Sequence, residues 1–178
     1  IKSILQSDLR PAFRTSNTVV RGSIDKTITV LMRVWLKPPA VLDPLRHGGL
    51  DLLVRLPRPE HMAVHWGMLM AVYPFWSAVA TQVGRLLRLQ NVVDSTQVQR
   101  RLREQFGERE LVERRTRYVL RSFLDWGALL ESGEKGTYLP GQSLAIMDLG
   151  LIIWLFEASL HARVGGSAPY AQLANNPN

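Results

Sequence analysis

The stretch from Asp94 to Pro140, DSTQVQRRLREQFGERELVERRTRYVLRSFLDWGALLESGEKGTYLP, does most to constrain the fold. Asp94 is a helix cap, and Gln97 three residues later makes a pair of the capping-box kind. Val98, Leu102 and Phe106 then recur every four residues, which predicts a short helix with one apolar stripe. Gly107 supplies the left-handed residue that ends it. Glu108 and Glu110 open a second helix, where acidic side chains suit the positive end of the helix dipole.

The second helix carries Val112, Thr116, Val119, Leu120 and Phe123 on one side, and Arg114, Arg117 and Arg121 on the other. Gly127 stops it. Ala128–Ser132 and Thr137–Leu139 read as two strands joined by a Gly133-Glu134-Lys135-Gly136 turn. A preceding helix, Pro74 to Leu89, turns Phe75, Val79, Val83, Leu86 and Leu87 inward.

Helix, turn, helix, hairpin resembles the winged helix-turn-helix superfamily, over residues 74–140. The resemblance implies binding of double-stranded DNA, with the second helix of the motif in the major groove. Arg114, Arg117 and Arg121 would face the duplex, with Arg115 beside them, where arginine can fork onto guanine or phosphate. Gln97, Gln99 and Arg100, at the start of the preceding helix, would meet the backbone. Lys135 at the hairpin tip would reach an adjacent phosphate or the minor groove. In the competing reading these arginines are a solvated face, paired with Glu104, Glu110 and Glu113. Glu110 to Arg114 and Glu113 to Arg117 both have the i,i+4 spacing that makes such pairs.

Charge agrees with a polyanionic partner. The 178-residue chain has a formal charge of +7, and only four of its 22 cationic residues are lysine (Lys2, Lys26, Lys37 and Lys135). Arginine suits phosphate through its planar fork of donors, although a codon bias would enrich it equally well. Cysteine is absent, which excludes disulfides and thiolate metal sites and agrees with a cytoplasmic location. No signal-peptide pattern opens the chain, and the missing initiator Met places the expected start upstream of Ile1.

The N-terminal region, residues 1–73, reads as a helical, bundle-like half. Ile1 to Phe13 is ambiguous and interrupted by Pro11, and Thr15 to Thr18 offer helix caps. Val20, Ile24, Ile28, Leu31, Val34 and Trp35 predict a helix stopped by Pro38-Pro39. Ala40–His47 and Leu50–Leu56 read as two short helices hinged at Gly48-Gly49. Glu60–Val72 and Pro74–Leu89 follow, with a turn at Tyr73-Pro74. Residues 141–178 are expected to pack on the core: Ser143 caps an apolar helix, Leu144–Leu160, and a loose or docked tail runs from Val164 to Asn178. That helix is interrupted by Asp148 and Glu157 and is short of the roughly 20 apolar residues of a membrane span, so it is expected to be buried and no membrane partner is implied. The predicted fold is mainly α, with one small β-hairpin.

Other chemistry has little to stand on. His61 and His65 can share one helical face, but no third ligand sits at a diagnostic spacing, so no metal is expected. Neither a phosphate-binding glycine loop nor a Gly-x-Ser-x-Gly elbow is present. The five tryptophans are spread over several helices, as core anchors are. The chain reads as a non-enzyme without a cofactor. Its size and order of elements also resemble the small DNA-binding subunit of BREX phage-exclusion systems, which implies a bacterial defence role in a larger assembly. A regulator is the other role expected of a DNA-binding winged helix, and a homodimer reading two half-sites is compatible with it. The alternative is an interaction subunit that never touches DNA, with its interface on the C-terminal helix or the Trp-rich helices.

Overall fold

The computed structural model describes residues 1–12 and 20–163. The caps predicted at Thr15 to Thr18 and the tail from Val164 to Asn178 lie outside the described residues. Among those described, eight α-helices and three short strands follow one another as α1 Lys2–Leu9, α2 Val20–Leu31, α3 Asp43–Arg55, α4 His61–Val72, α5 Pro74–Gln90, β1 Val93–Asp94, α6 Ser95–Phe106, α7 Glu110–Asp125, β2 Leu129–Glu131, β3 Thr137–Pro140 and α8 Leu149–His161. The fold is mainly α with a small antiparallel sheet, as the sequence predicts. None of the described helices is long and apolar enough to cross a membrane.

Local signals place most of the boundaries. Pro74 opens α5, where its missing N–H costs nothing, and Asn91 closes that helix in the left-handed conformation (φ 54°). Asp94 caps α6: its carboxylate accepts from the Thr96 N–H at 2.6 Å, the Thr96 hydroxyl at 2.5 Å and the Gln97 N–H at 3.4 Å. The Thr96 hydroxyl above all, with those two N–H groups, holds the Asp94 carboxyl below the usual range. At the end of α7, Gly127 (φ 72°) makes the paired bonds of a Schellman turn. Ala128 N–H donates to Phe123 C=O, and Gly127 N–H to Leu124 C=O.

The predicted hairpin is present, with Leu130 opposite Leu139 and Glu131 opposite Tyr138. A third strand joins it. Val93 and Asp94 pair with Tyr138 and Thr137, so the sheet order is β1-β3-β2. Two residues are too short a run to announce a strand by alternation, and the ladder to β3 is what makes β1 one.

Three predicted elements are corrected. The helix from Val20 finishes in a π-helical turn, Met32–Leu36, before Pro38-Pro39. Gly48-Gly49 is no hinge, since α3 runs unbroken through both. The glycines instead admit Trp154, because a methyl on Gly49 would lie 2.8 Å from the Trp154 ring and one on Gly48 3.2 Å from it. Ser143 does not cap the C-terminal helix, which starts five residues later than predicted. Asp148 is the cap, accepting from the Leu151 N–H at 2.8 Å while Arg55 grips both its oxygens at 2.6 and 2.8 Å. That helix is also buried on one side only. Leu151, Trp154, Ala158 and Ser159 are buried, whereas Leu149 is 73% exposed and Ile153 66%.

The Arg55 hydrogen bonds, with the Leu151 N–H, hold the Asp148 carboxyl down to about 2. A carboxyl depressed in the folded state stabilises the fold above its unfolded value and loses that contribution as pH falls through the folded one. Asparagine caps helices as well as aspartate does, so Asp148→Asn removes the ion pair and keeps the cap. The expected result is a lower urea midpoint than wild type near neutral pH. The gap should close between about pH 4 and pH 2, and a gap independent of pH would refute the linkage.

Buried residues from Val34 to Ala158 form one cluster. α8 lies against α4 and α3, and α6 and α7 pack on each other and on α5. Trp66 of α4 stacks on Phe123 of α7 (centroids 5.0 Å, 27°), and Trp76 meets both edge-on at 4.4 and 5.0 Å. The aromatic anchors thus fasten α5 and α7 to α4 of the N-terminal half.

Candidate nucleic-acid interface

α7 divides cleanly into two faces. Val112, Thr116, Leu120 and Phe123 are buried, and the Thr116 hydroxyl donates to the Val112 carbonyl at 2.8 Å, so its burial leaves no polar group unpaired. Arg114, Arg115, Arg117 and Arg121 are exposed on the outer side. Burial of the apolar stripe fixes the helix rotation and therefore presents these arginines to solvent.

Their ion pairing departs from the i,i+4 expectation. Glu113 does not pair with Arg117. It reaches across to Arg103 of α6, and so ties the two helices together. Among the described residues, no carboxylate lies within ion-pairing distance of Arg114, Arg115 or Arg117. Arg121 does have a partner, Asp125 at 3.2 Å, with both side chains largely in water. An exposed pair of that kind contributes at most about 1 kcal/mol and is readily exchanged for phosphate.

The other candidate residues are distributed around this face. Gln97 and Gln99 are half-buried in the first turns of α6, and Arg100 is exposed with Glu104 at 4.0 Å. Lys135 stands exposed between Gly133 and Gly136, both with φ of 86°. The hairpin is anchored to α6, since Ser95 N–H donates to the Gly136 carbonyl at 2.8 Å, and a methyl on Gly136 would press on the Ser95 hydroxyl. Arg101, also in this segment, turns inward and donates to Gln82 at 3.5 Å, so it is unavailable.

Sequence reasoning missed Tyr118, which is 67% exposed on the arginine side of α7. The signal was present: position 118 lies opposite the Thr116 and Leu120 stripe on the helical wheel. The histidines serve packing. His61 shares a 2.9 Å hydrogen bond with the Leu56 carbonyl, and His65 packs edge-on against Trp35 at 5.4 Å. Burial, then the neighbouring His61, pushes the His65 pKa down. Among the described residues no three His, Asp or Glu side chains come together as metal ligands.

Compared with family models, with curated proteins and with solved structures, the chain matches none. The site therefore rests on its own geometry.

Proposed function

We propose that this chain binds double-stranded DNA through a winged helix-turn-helix formed by α5 to β3, with α7 as the helix that enters the major groove. One observation carries the reading: among the described residues Arg114, Arg115 and Arg117 stand on an exposed helix face without acidic partners, while Glu113, the i,i+4 neighbour of Arg117, is held by Arg103. Helix, turn, helix and hairpin follow in the order on which the resemblance rests. Arginine-to-phosphate contacts supply most of the affinity, and α7 some sequence preference. Arg121 joins after releasing Asp125; Lys135, Gln97, Gln99 and Arg100 extend the footprint along the backbone. The chain acts as a binding protein and not as an enzyme, either as a cytoplasmic regulator or as a subunit of a bacterial defence complex of the BREX kind.

The test is a titration of an arbitrary duplex of about 30 base pairs across a salt series. Binding should weaken linearly in a double-logarithmic plot, with a slope of roughly −3 to −5 at about 0.9 per phosphate contact. A folded chain that does not bind at low salt removes DNA from the account.

A second reading, an interaction subunit that makes no DNA contact, is favoured by the outer side of α8. Leu149 and Ile153 are 73% and 66% exposed there, and Met147, just before the helix, is 85% exposed. If this side joins copies of the chain, light scattering should give a dimer for wild type and a monomer for Leu149→Glu/Ile153→Glu. An identical monomeric mass for both would end the homodimer form of that reading.

A further inference from the structure

A cavity of about 620 Å³ lies between α4, α8, the irregular segment 141–148 and the turn that ends α7. We infer that it is a binding site for an uncharged aromatic small molecule that carries a hydrogen-bond donor. This inference does not depend on the DNA reading.

Size is the first argument, since pockets that enclose small organic ligands run from about 300 to 1,000 Å³. Charge is the second. The chain has a formal charge of +7, yet among the described residues none that lines this cavity is ionisable. A charged ligand would give up its hydration with no counter-charge to replace it, so the site selects neutral molecules. The third argument is the character of the walls. Trp66 and Trp126 contribute indoles whose centroids are 6.0 Å apart and tilted by 58°, with Met62, Leu155, Phe156 and Ile146 around them. Aromatic faces at such an angle hold a ring by stacking and edge contacts together.

Polar side chains are few among the described lining residues: Gln142 and Ser143 on the irregular segment and Ser159 on α8. Gln142 and Ser143 are exposed on the irregular segment, and among the described residues their side chains have no partner. The Ser159 hydroxyl already donates to the Phe156 carbonyl at 2.9 Å and is left as an acceptor. Ser159 therefore calls for a donor on the ligand, while the Gln142 amide and the Ser143 hydroxyl can each donate or accept.

N-phenyl-1-naphthylamine is a suitable probe, being neutral, aromatic and fluorogenic, and its sulfonated analogue carries the same rings with a negative charge. Titrated into the full chain, the neutral probe should give a saturable signal at one site, with a Kd of about 100 μM or tighter. The sulfonate should displace it at least about tenfold less effectively. Ala128→Phe fills the cavity and should abolish binding while the circular dichroism stays native. Met62 is 40% exposed at the rim and can accept a long side chain without refolding the core. Met62→Arg places a cation there and should narrow the gap between sulfonate and neutral probe by about threefold or more. The inference is overturned by no saturable binding of the neutral probe, by equal displacement in wild type, or by binding that neither substitution alters.

Discussion

Replacing Arg114, Arg117 and Arg121 together by alanine is expected to lower affinity for duplex DNA by about 500-fold at about 0.1 M salt. Each phosphate contact contributes about 0.9 to the slope of log K against log salt, so at that concentration it is worth about 0.9 of a decade. Three contacts give about 2.7 decades, and the salt slope should fall by the same 2.7. The Asp125 pair of Arg121 reduces the total by no more than the about 1 kcal/mol that an exposed ion pair is worth. Stability should hardly move, because all three side chains are exposed and alanine is the best helix former. Native circular dichroism with unchanged binding would therefore refute the assignment of α7 and could not be blamed on misfolding.

The second large effect concerns the packing that holds the molecule together. Trp154→Ala is expected to cost about 3–5 kcal/mol in a urea titration, as truncation of a buried tryptophan generally does. The indole N–H donates to the Leu45 carbonyl at 2.8 Å, and the ring lies against Gly48, Gly49 and Gly67. Gly67→Ala approaches the same contact from the other side. Its methyl would overlap the six-membered ring, with Cη2 at 2.9 Å and Leu155 Cδ2 at 3.0 Å. Overpacking of that kind costs about 1–3 kcal/mol, offset in part by the roughly 1 kcal/mol by which alanine exceeds glycine as a helix former. In the Trp154→Ala background the overlap with the ring is gone, and the propensity gain is opposed only by the contact with Leu155 Cδ2, the end of a flexible side chain with new room to move. Gly67→Ala should then change sign, from destabilising to stabilising. Equal effects in both backgrounds would show that the glycine is not there for the indole.

How much of this was legible in the sequence depended on how local the cause was. α6 and α7 were read nearly to their ends because the Asp94 cap, the two apolar stripes and the stopping glycines are local signals, although α7 starts at Glu110 and leaves Glu108 outside it. The outer arginines of α7 followed from the same periodicity. Legibility failed where a distant residue decides the outcome. Gly48-Gly49 reads as a hinge by local propensity, and Trp154, more than one hundred residues later, makes it a contact surface. Ser143 and Asp148 are both competent caps, and the choice falls to Arg55, 93 residues away. α8 is apolar nearly all round, so no stripe could announce which side would be buried and which exposed. Within the site, the i,i+4 rule assigned Glu113 to Arg117, but α6 lies close enough to offer Arg103 and takes it.

The backbone hydrogen bonds around the hairpin continue past Pro140. Gly141 N–H donates to the Ala128 carbonyl at 3.0 Å and Gln142 N–H to the Gly127 carbonyl at 2.9 Å, so the chain leaving the sheet is laced to the turn that ends α7. Phe123, in the last turn of α7, is meanwhile covered by Trp66 from outside residues 74–140. Excision of those residues as a free-standing module would cut two hydrogen bonds at one end and uncover an aromatic core at the other. In this chain the α5–β3 unit is not portable. It is one side of a shared interior, and any reuse of it elsewhere would have to carry α4 and the residues just after Pro140 along.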